Sequence, residues 1–475
     1  MPRLQIAALA LIAAACFPQL LHAKQADEPA DEQADNAALV MLGFNAPFAG
    51  GDPVAEAIAL GRRRLAFERL AYEREQAQQR AGQGDADEAA PTLAQAVPEA
   101  ATGLHAVRAI APDALRCAPL QGQGPDCIGH ILAHGAQWQT LLAGGQGWLA
   151  RLAALAQAPR YSPVRSVPGP ATAALPWLHL ARAHDLALAQ AALHLAGGQP
   201  DQALRQFDTA AQAMQRVAAQ EGDIVGSMVA LAQMQRSLHW AASALRHTPA
   251  LARQPAWAAA LRRSLARLQI DLAPALAGEN AMLARALTLA CPPPQAISAE
   301  QAAHACPGQR QSEAALRALE LLTRAARASA PQARAAWQQA REQAEKQARE
   351  QAGEEAAEDA AQFLPDYGPY LLRTHDLQGY SRLVQLQLAA LQEAVPPAQM
   401  PAWLAARPAP LRNPYTQAPM QWDAASASLI FQGQTAAQGA SNPPSAYRVR
   451  LFDLPGTPPG TLPDSSPDTP AAPAG

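Results

Sequence analysis

Residues 176–246 read PWLHLARAHDLALAQAALHLAGGQPDQALRQFDTAAQAMQRVAAQEGDIVGSMVALAQMQRSLHWAASALR. This stretch decides the fold class. Its first piece stays apolar and Ala/Leu-rich up to Gly197-Gly198, and a glycine just past the last apolar residue is a helix stop. Pro200 then stands where a first-turn proline is tolerated, and Asp201 puts a negative charge near a helix N-terminus. Along the second piece Leu204, Phe207, Ala211, Met214 and Ala218 recur at three and four residues, which places them on one helical face. Gly222 ends that piece. Asp223 caps a third, with Met228, Leu231, Leu238, Ala242 and Leu245 on one face. Tight turns between amphipathic helices force antiparallel neighbours, so the spacing predicts an array of helical hairpins.

The second helix resembles a tetratricopeptide helix. In GGQPDQALRQFDTAA, Ala203, Phe207 and Ala210 stand at that family's small-aromatic-small spacing. The small residues let helices approach, and the aromatic fills the gap. The resemblance covers one hairpin. In its first helix the family's Trp, Leu and Tyr positions hold Ala187, Gln190 and His194.

Composition supports a mainly α body. The chain has 475 residues, 49% hydrophobic and only 5% aromatic. The apolar share is mostly Ala and Leu, which are strong helix formers. The net charge of −3 argues against an electrostatic nucleic-acid footprint. The expected organisation is a signal peptide at 1–23, a spacer at 24–52, a helical subdomain at 53–160, a central scaffold at 171–394, a Pro-rich connector with a small β module at 395–455, and a disordered tail at 456–475. Residues 37–50 form an apolar patch inside the spacer that could dock on the body, and Asp52-Pro53 opens a helix with Arg62, Arg63 and Arg64 on its surface.

Arg3 and the apolar run from Leu4 to Ala15, followed by Leu21-His22-Ala23, have the pattern of an export signal with cleavage after Ala23. The expected location is the periplasm. Ala14-Ala15-Cys16 resembles a lipoprotein box, and acylation at Cys16 would instead anchor the chain to the outer membrane. Four cysteines remain besides Cys16. Cys117 with Cys127, and Cys291 with Cys306, bracket Pro-containing connectors, and local pairing in two disulfides is the favoured arrangement of the three possible.

The C-terminal part changes character. A helix is expected over Gln378–Ala394, then a Pro-rich segment, a turn at Asn413-Pro414, and strands at Met420–Trp422, Ser428–Phe431 and from Tyr447. Asn413, Pro414, Tyr415, Thr416, Pro419 and Met420 are similar to the closing module of uncharacterised exported bacterial proteins and to the end of pseudopilins, where an Asn-Pro-Tyr turn enters a small sheet. Gln417 stands where that pattern prefers Gly.

Chemistry is sparsely signalled. In CIGHILAH, His130 and His134 lie four apart on an expected helix and are the candidate metal ligands, but no Glu adjoins His130 as an HExxH site requires. His179, His184 and His194 scatter along the first central helix. No P-loop, dinucleotide fingerprint, nucleophile elbow or kinase set is present, and no catalytic residue or cofactor is assigned. The expectation is a non-enzymatic scaffold with a protein or peptide partner. An accessory role in a secretion apparatus and a metal-dependent envelope hydrolase are the alternatives.

Overall fold

The computed structural model describes residues 36–48, 50–81, 97, 112, 115, 126–161, 175–220, 224–290, 309–352, 367–436 and 444–451. The leader with Cys16, the acidic stretch up to residue 35, Cys117, Cys291, Cys306 and the tail lie outside the described residues. Among the described residues the protein is mainly helical, with one small antiparallel sheet near the C-terminus.

Three helices, α1 (Ala37–Leu42), α2 (Pro53–Ala81) and α3 (Cys127–Ala133), precede α4 (Gly135–Gly144) and α5 (Gln146–Gln157). The centre is α6 (Trp177–Ala196), α7 (Pro200–Gln220) and α8 (Ile224–His247). These match the three pieces read from the sequence. Ala203, Phe207 and Ala210 of α7 are all fully buried. Phe207 stacks on Trp240 of α8 with ring centroids 5.0 Å apart. Gly226 lets α8 meet α6 closely, because a Cβ there would lie 1.8 Å from the Trp177 ring.

A buried polar network crosses the same interface. Gln233, in the amide orientation that satisfies all its neighbours, donates to His184 Nδ1 at 3.1 Å. His184 Nε2 then carries the proton and donates to Ser237 Oγ at 2.9 Å. Asp185 pairs with Arg236 at 3.0 Å and Arg182 at 3.6 Å. Buried polar groups cost free energy unless they are bonded, so these bonds fix the register of α6 against α8.

The helical stretch from Cys127 to Gln157 is divided into α3, α4 and α5 at His134 and Gly145. A Cβ at Gly145 would lie 2.8 Å from Leu186, so the break lets the chain close against α6. The apolar patch read within the spacer begins with a helix packed on the body: every residue of α1 is buried. Gly43 and Gly61 allow it to lie on α2, because Cβ atoms there would meet the carbonyl oxygens of Ala57 and Leu39 at 1.8 and 2.1 Å. Arg64, expected on the surface, is 3% exposed and donates to the Leu42 carbonyl.

After α8 come α9 (Pro249–Ala252), α10 (Pro255–Arg267), α11 (Ala273–Ala290), α12 (Gln309–Ala325) and α13 (Ala330–Ala352). A second cluster joins Leu272, Leu276, Leu319, Leu322, Ala340, Tyr367 and Leu371. In α13 the sequence shows alanine every four residues. Of that stripe Ala340 is buried and Ala336 half-buried, while Ala330 and Ala333 outside it are also buried.

The helix expected from Gln378 begins ten residues earlier: α14 spans Gly368–Gln392. It packs on α8, α10 and the sheet. A short α15 (Met400–Ala405) leads to β1 (Gln421–Asp423), β2 (Ser428–Ala436) and β3 (Pro444–Arg450). The order is β1-β2-β3, all antiparallel, with Trp422 opposite Leu429 and Phe431 opposite Tyr447. One continuous core runs from Ala37 to Leu451 across both expected subdomain boundaries.

Candidate functional site

The C-terminal module builds a cleft. It starts from Asn413, whose side chain accepts from the backbone N–H of Tyr415 at 2.9 Å and forms an Asx turn. The turn closes when Asn413 N–H donates to the Ala418 carbonyl at 3.0 Å. Gln417 sits inside it at φ 57°, in the left-handed region that favours glycine. Gln417→Gly is expected to stabilise the protein by about 0.5–1 kcal/mol, read as a shifted denaturant midpoint. An unchanged or lower midpoint would show the turn to be unstrained.

The turn delivers Tyr415 to α14. Its hydroxyl donates to Asp376 Oδ1 at 2.6 Å, and its ring stacks on Phe431 at 6.2 Å and 2°. Asp376 has no solvent exposure. It also accepts from the Gln434 N–H at 3.0 Å and from the Tyr447 hydroxyl at 3.4 Å. Burial, then the Asp376 charge, raises the pKa of both tyrosines, so the hydroxyls stay protonated as donors. Two glycines make the approach possible. A Cβ at Gly433 would lie 2.7 Å from Asp376 Oδ2, and one at Gly379 would lie 2.2 Å from the Phe431 ring.

The β1–β2 ladder stops at Gln421 opposite Ile430. Pro419, two residues earlier, has no N–H to extend it. The chain swings out into the Asn413 turn, and a cleft of about 590 Å³ opens between that turn and the continuing β2. Met420 and Ile430, both buried, contribute apolar surface. Thr416, Gln421, Gln432 and Gln434 contribute polar groups, and Arg334 reaches in from α13. Tyr415 was legible as part of a motif. Asp376, Gly433 and Arg334 were not, because each matters only through a partner far along the chain.

The two candidate histidines are brought together. The His130 and His134 ring centroids are 4.8 Å apart. His134 ends α3, and its Nδ1 bonds the His130 carbonyl at 2.9 Å. Among the described residues no group of three or more His, Cys, Asp or Glu is placed to hold a metal. Cys127 is buried at the start of the same helix.

A Ser-His-Asp cluster lies just beyond. Asp126 accepts from Ser243 Oγ on one oxygen and pairs with His247 on the other, while Ser243 Oγ also accepts the Ile128 N–H at 3.0 Å. Burial opposes its ionisation, but the bonds from His247 and Ser243 hold the Asp126 pKa below its usual value. In a nucleophilic triad the histidine stands between serine and carboxylate. Here the carboxylate stands in the middle and ties α3 to α8.

The histidines of α6 face three separate environments. His184 belongs to the network above, and His194 bonds Gln199 at 2.8 Å at the hairpin. His179 is 5% exposed and lies against Trp148 at 5.5 Å. Burial, then the charges of Arg64 and Arg151, lowers its pKa to about 4. The unfolded chain therefore takes a proton near pH 6.5 that the folded chain refuses until about pH 4. Stability is lost as pH falls through that window, by up to about 3 kcal/mol. His179→Gln is expected to flatten this part of the curve of urea midpoint against pH. An identical slope in the variant would assign it to other groups.

Among the described residues no helix is long and apolar enough to cross a membrane. Comparison of the chain with protein-family models, curated proteins and solved structures gives no match.

Proposed function

We propose that this chain is an exported, non-enzymatic helical scaffold of the bacterial cell envelope that holds an extended segment of a partner protein. The observation that carries the reading is the cleft beside β2. It combines apolar surface with amide side chains, and Asp376 fixes its walls to the body from behind. Export rests on the leader-like sequence at 1–23. Tetratricopeptide-like packing is supported by Ala203, Phe207 and Ala210, buried together between α7 and its neighbours. Such packing would give the cleft a rigid support.

The Asn413 turn favours a second reading, an accessory part of a secretion or surface apparatus, since pseudopilins close on a similar turn. One experiment addresses both. A photo-crosslinking residue is placed at the exposed cleft position Gln421, and at exposed Arg263 on α10 as a control. The scaffold reading expects one discrete adduct in intact cells from position 421 alone. A secretion component in that adduct would select the second reading. Adducts from neither position, or the same ones from both, would overturn the cleft as the binding face.

A further inference from the structure

We infer that the cleft selects an acidic segment, with Arg334 pairing an Asp or Glu side chain of the partner. This rests on the reading of the cleft as the binding face and names what it binds. Among the described residues the lining contains no carboxylate, and its one charged side chain is Arg334. The guanidinium bonds the neutral Gln434 side-chain oxygen at 2.6 Å, and among the described residues it has no ion pair. A guanidinium carries five N–H donors in a planar fork that matches a carboxylate. One bond to an amide leaves most of that fork unused, and Arg334 is exposed toward the cleft side of α13.

The buried carboxylate behind the strand is already engaged by other donors. Asp376 lies behind β2 with no solvent exposure, its oxygens taken by Tyr415, Tyr447 and the Gln434 N–H. Gln434 thus joins the two sides. Its backbone is held by the buried carboxylate, and its side chain positions Arg334 over the opening. The shape favours an extended ligand. The space runs along one strand, between Ile430–Gln434 and the lead-in to β1, where Pro419 ends the ladder. Gln421, Gln432 and Gln434 side chains along it offer both donors and acceptors, as a peptide backbone requires. The neighbouring turn is held with Gln417 in a left-handed conformation, and unfavourable backbone of this kind gathers at binding sites.

The test is selection from a random peptide library displayed on phage, with the full chain immobilised, followed by affinity measurement on the enriched peptides. The expected result is peptides with Asp or Glu at one fixed position. Arg334→Gln should then weaken them about tenfold or more, as loss of one charge-assisted pair does. Arg334→Lys should keep part of the affinity, and Arg263→Gln should keep all of it. Equal thermal midpoints of the three variants would confirm that folding is intact. Enriched peptides that lack a fixed acidic position, that need a free C-terminal carboxylate, or that bind Arg334→Gln equally well would overturn the acidic assignment while leaving the cleft as the binding face. Enriched peptides that still bind after a bulky adduct is attached at position 421 would overturn both.

Discussion

Replacing Arg151 by methionine should destabilise the protein by roughly 3–5 kcal/mol, the cost of opening a buried, bonded charge site. Arg151 has no solvent exposure. Its Nε donates to the Pro53 carbonyl at 2.8 Å, and one terminal nitrogen donates to Phe44 and Ala46 at 2.9 and 2.7 Å. Glu56 lies 3.5 Å from the other nitrogen. The guanidinium sits over the Phe48 ring at 4.5 Å and near the Trp148 ring at 5.1 Å. Burial lowers its pKa to about 10 while Glu56 opposes the shift, so the charge persists at neutral pH. Methionine fills much of the volume but donates nothing, leaving three carbonyls and Glu56 without their partner. The loss should concentrate at the N-terminal side. Limited proteolysis is expected to cut first between residues 43 and 53, ahead of global unfolding. A variant with an unchanged urea midpoint would show that the carbonyls find water at little cost.

The second large effect is expected at Asp376. Asp376→Ala removes the common acceptor of the Tyr415 hydroxyl, the Tyr447 hydroxyl and the Gln434 N–H, and should cost about 3 kcal/mol. Its signature is local. Helical circular dichroism should be retained at moderate denaturant while the sheet becomes accessible to hydrogen exchange from Leu429 to Gln434. Tyr415→Phe should cost about 1–1.5 kcal/mol alone, and much less in the Asp376→Ala background, because the two residues share one interaction. Full additivity of the two changes would contradict the shared bond. Loss of Asp376 should also disperse the cleft, so peptide binding and sheet protection should fall together.

The sequence was legible where the structure is periodic and local. Phe207 and its neighbouring alanines could be placed on one face because helix spacing alone decides it, and each is buried. Asn413 and Pro414 marked a turn through their own backbone preferences. The start of α14 was hidden for the opposite reason. Thr374, His375 and Asp376 are a polar stretch ahead of the expected start at Gln378, and Gly379 just inside it is a poor helix former. They are helical because the sheet docks there: Asp376 gathers donors from β2, β3 and the Asn413 turn, and Gly379 admits the Phe431 ring. Arg64 misled in the same way. An arginine is usually solvated, and the Leu42 carbonyl that accepts from Arg64 draws it inside, as those of Phe44, Ala46 and Pro53 do for Arg151. The cleft was illegible because it is a gap between a turn and a strand, and a gap has no residue pattern of its own.

Helix α14 also sets the order in which the molecule can be finished. Its Gln387 donates to the Ala242 carbonyl at 3.0 Å and to the Arg450 carbonyl at 3.1 Å, and Ser381 donates to the Leu265 carbonyl at 3.2 Å. A chain emerging from the ribosome builds α6, α7 and α8 long before these partners exist. Until residue 392 has been made, the faces of α8 and α10 that α14 covers stay wet, and until residue 450 has been made the sheet has no third strand. Contacts separated by more than a hundred positions form slowly, since the long loop between them must close first. Nascent chains stopped before α14 would therefore expose these apolar faces and depend on chaperones.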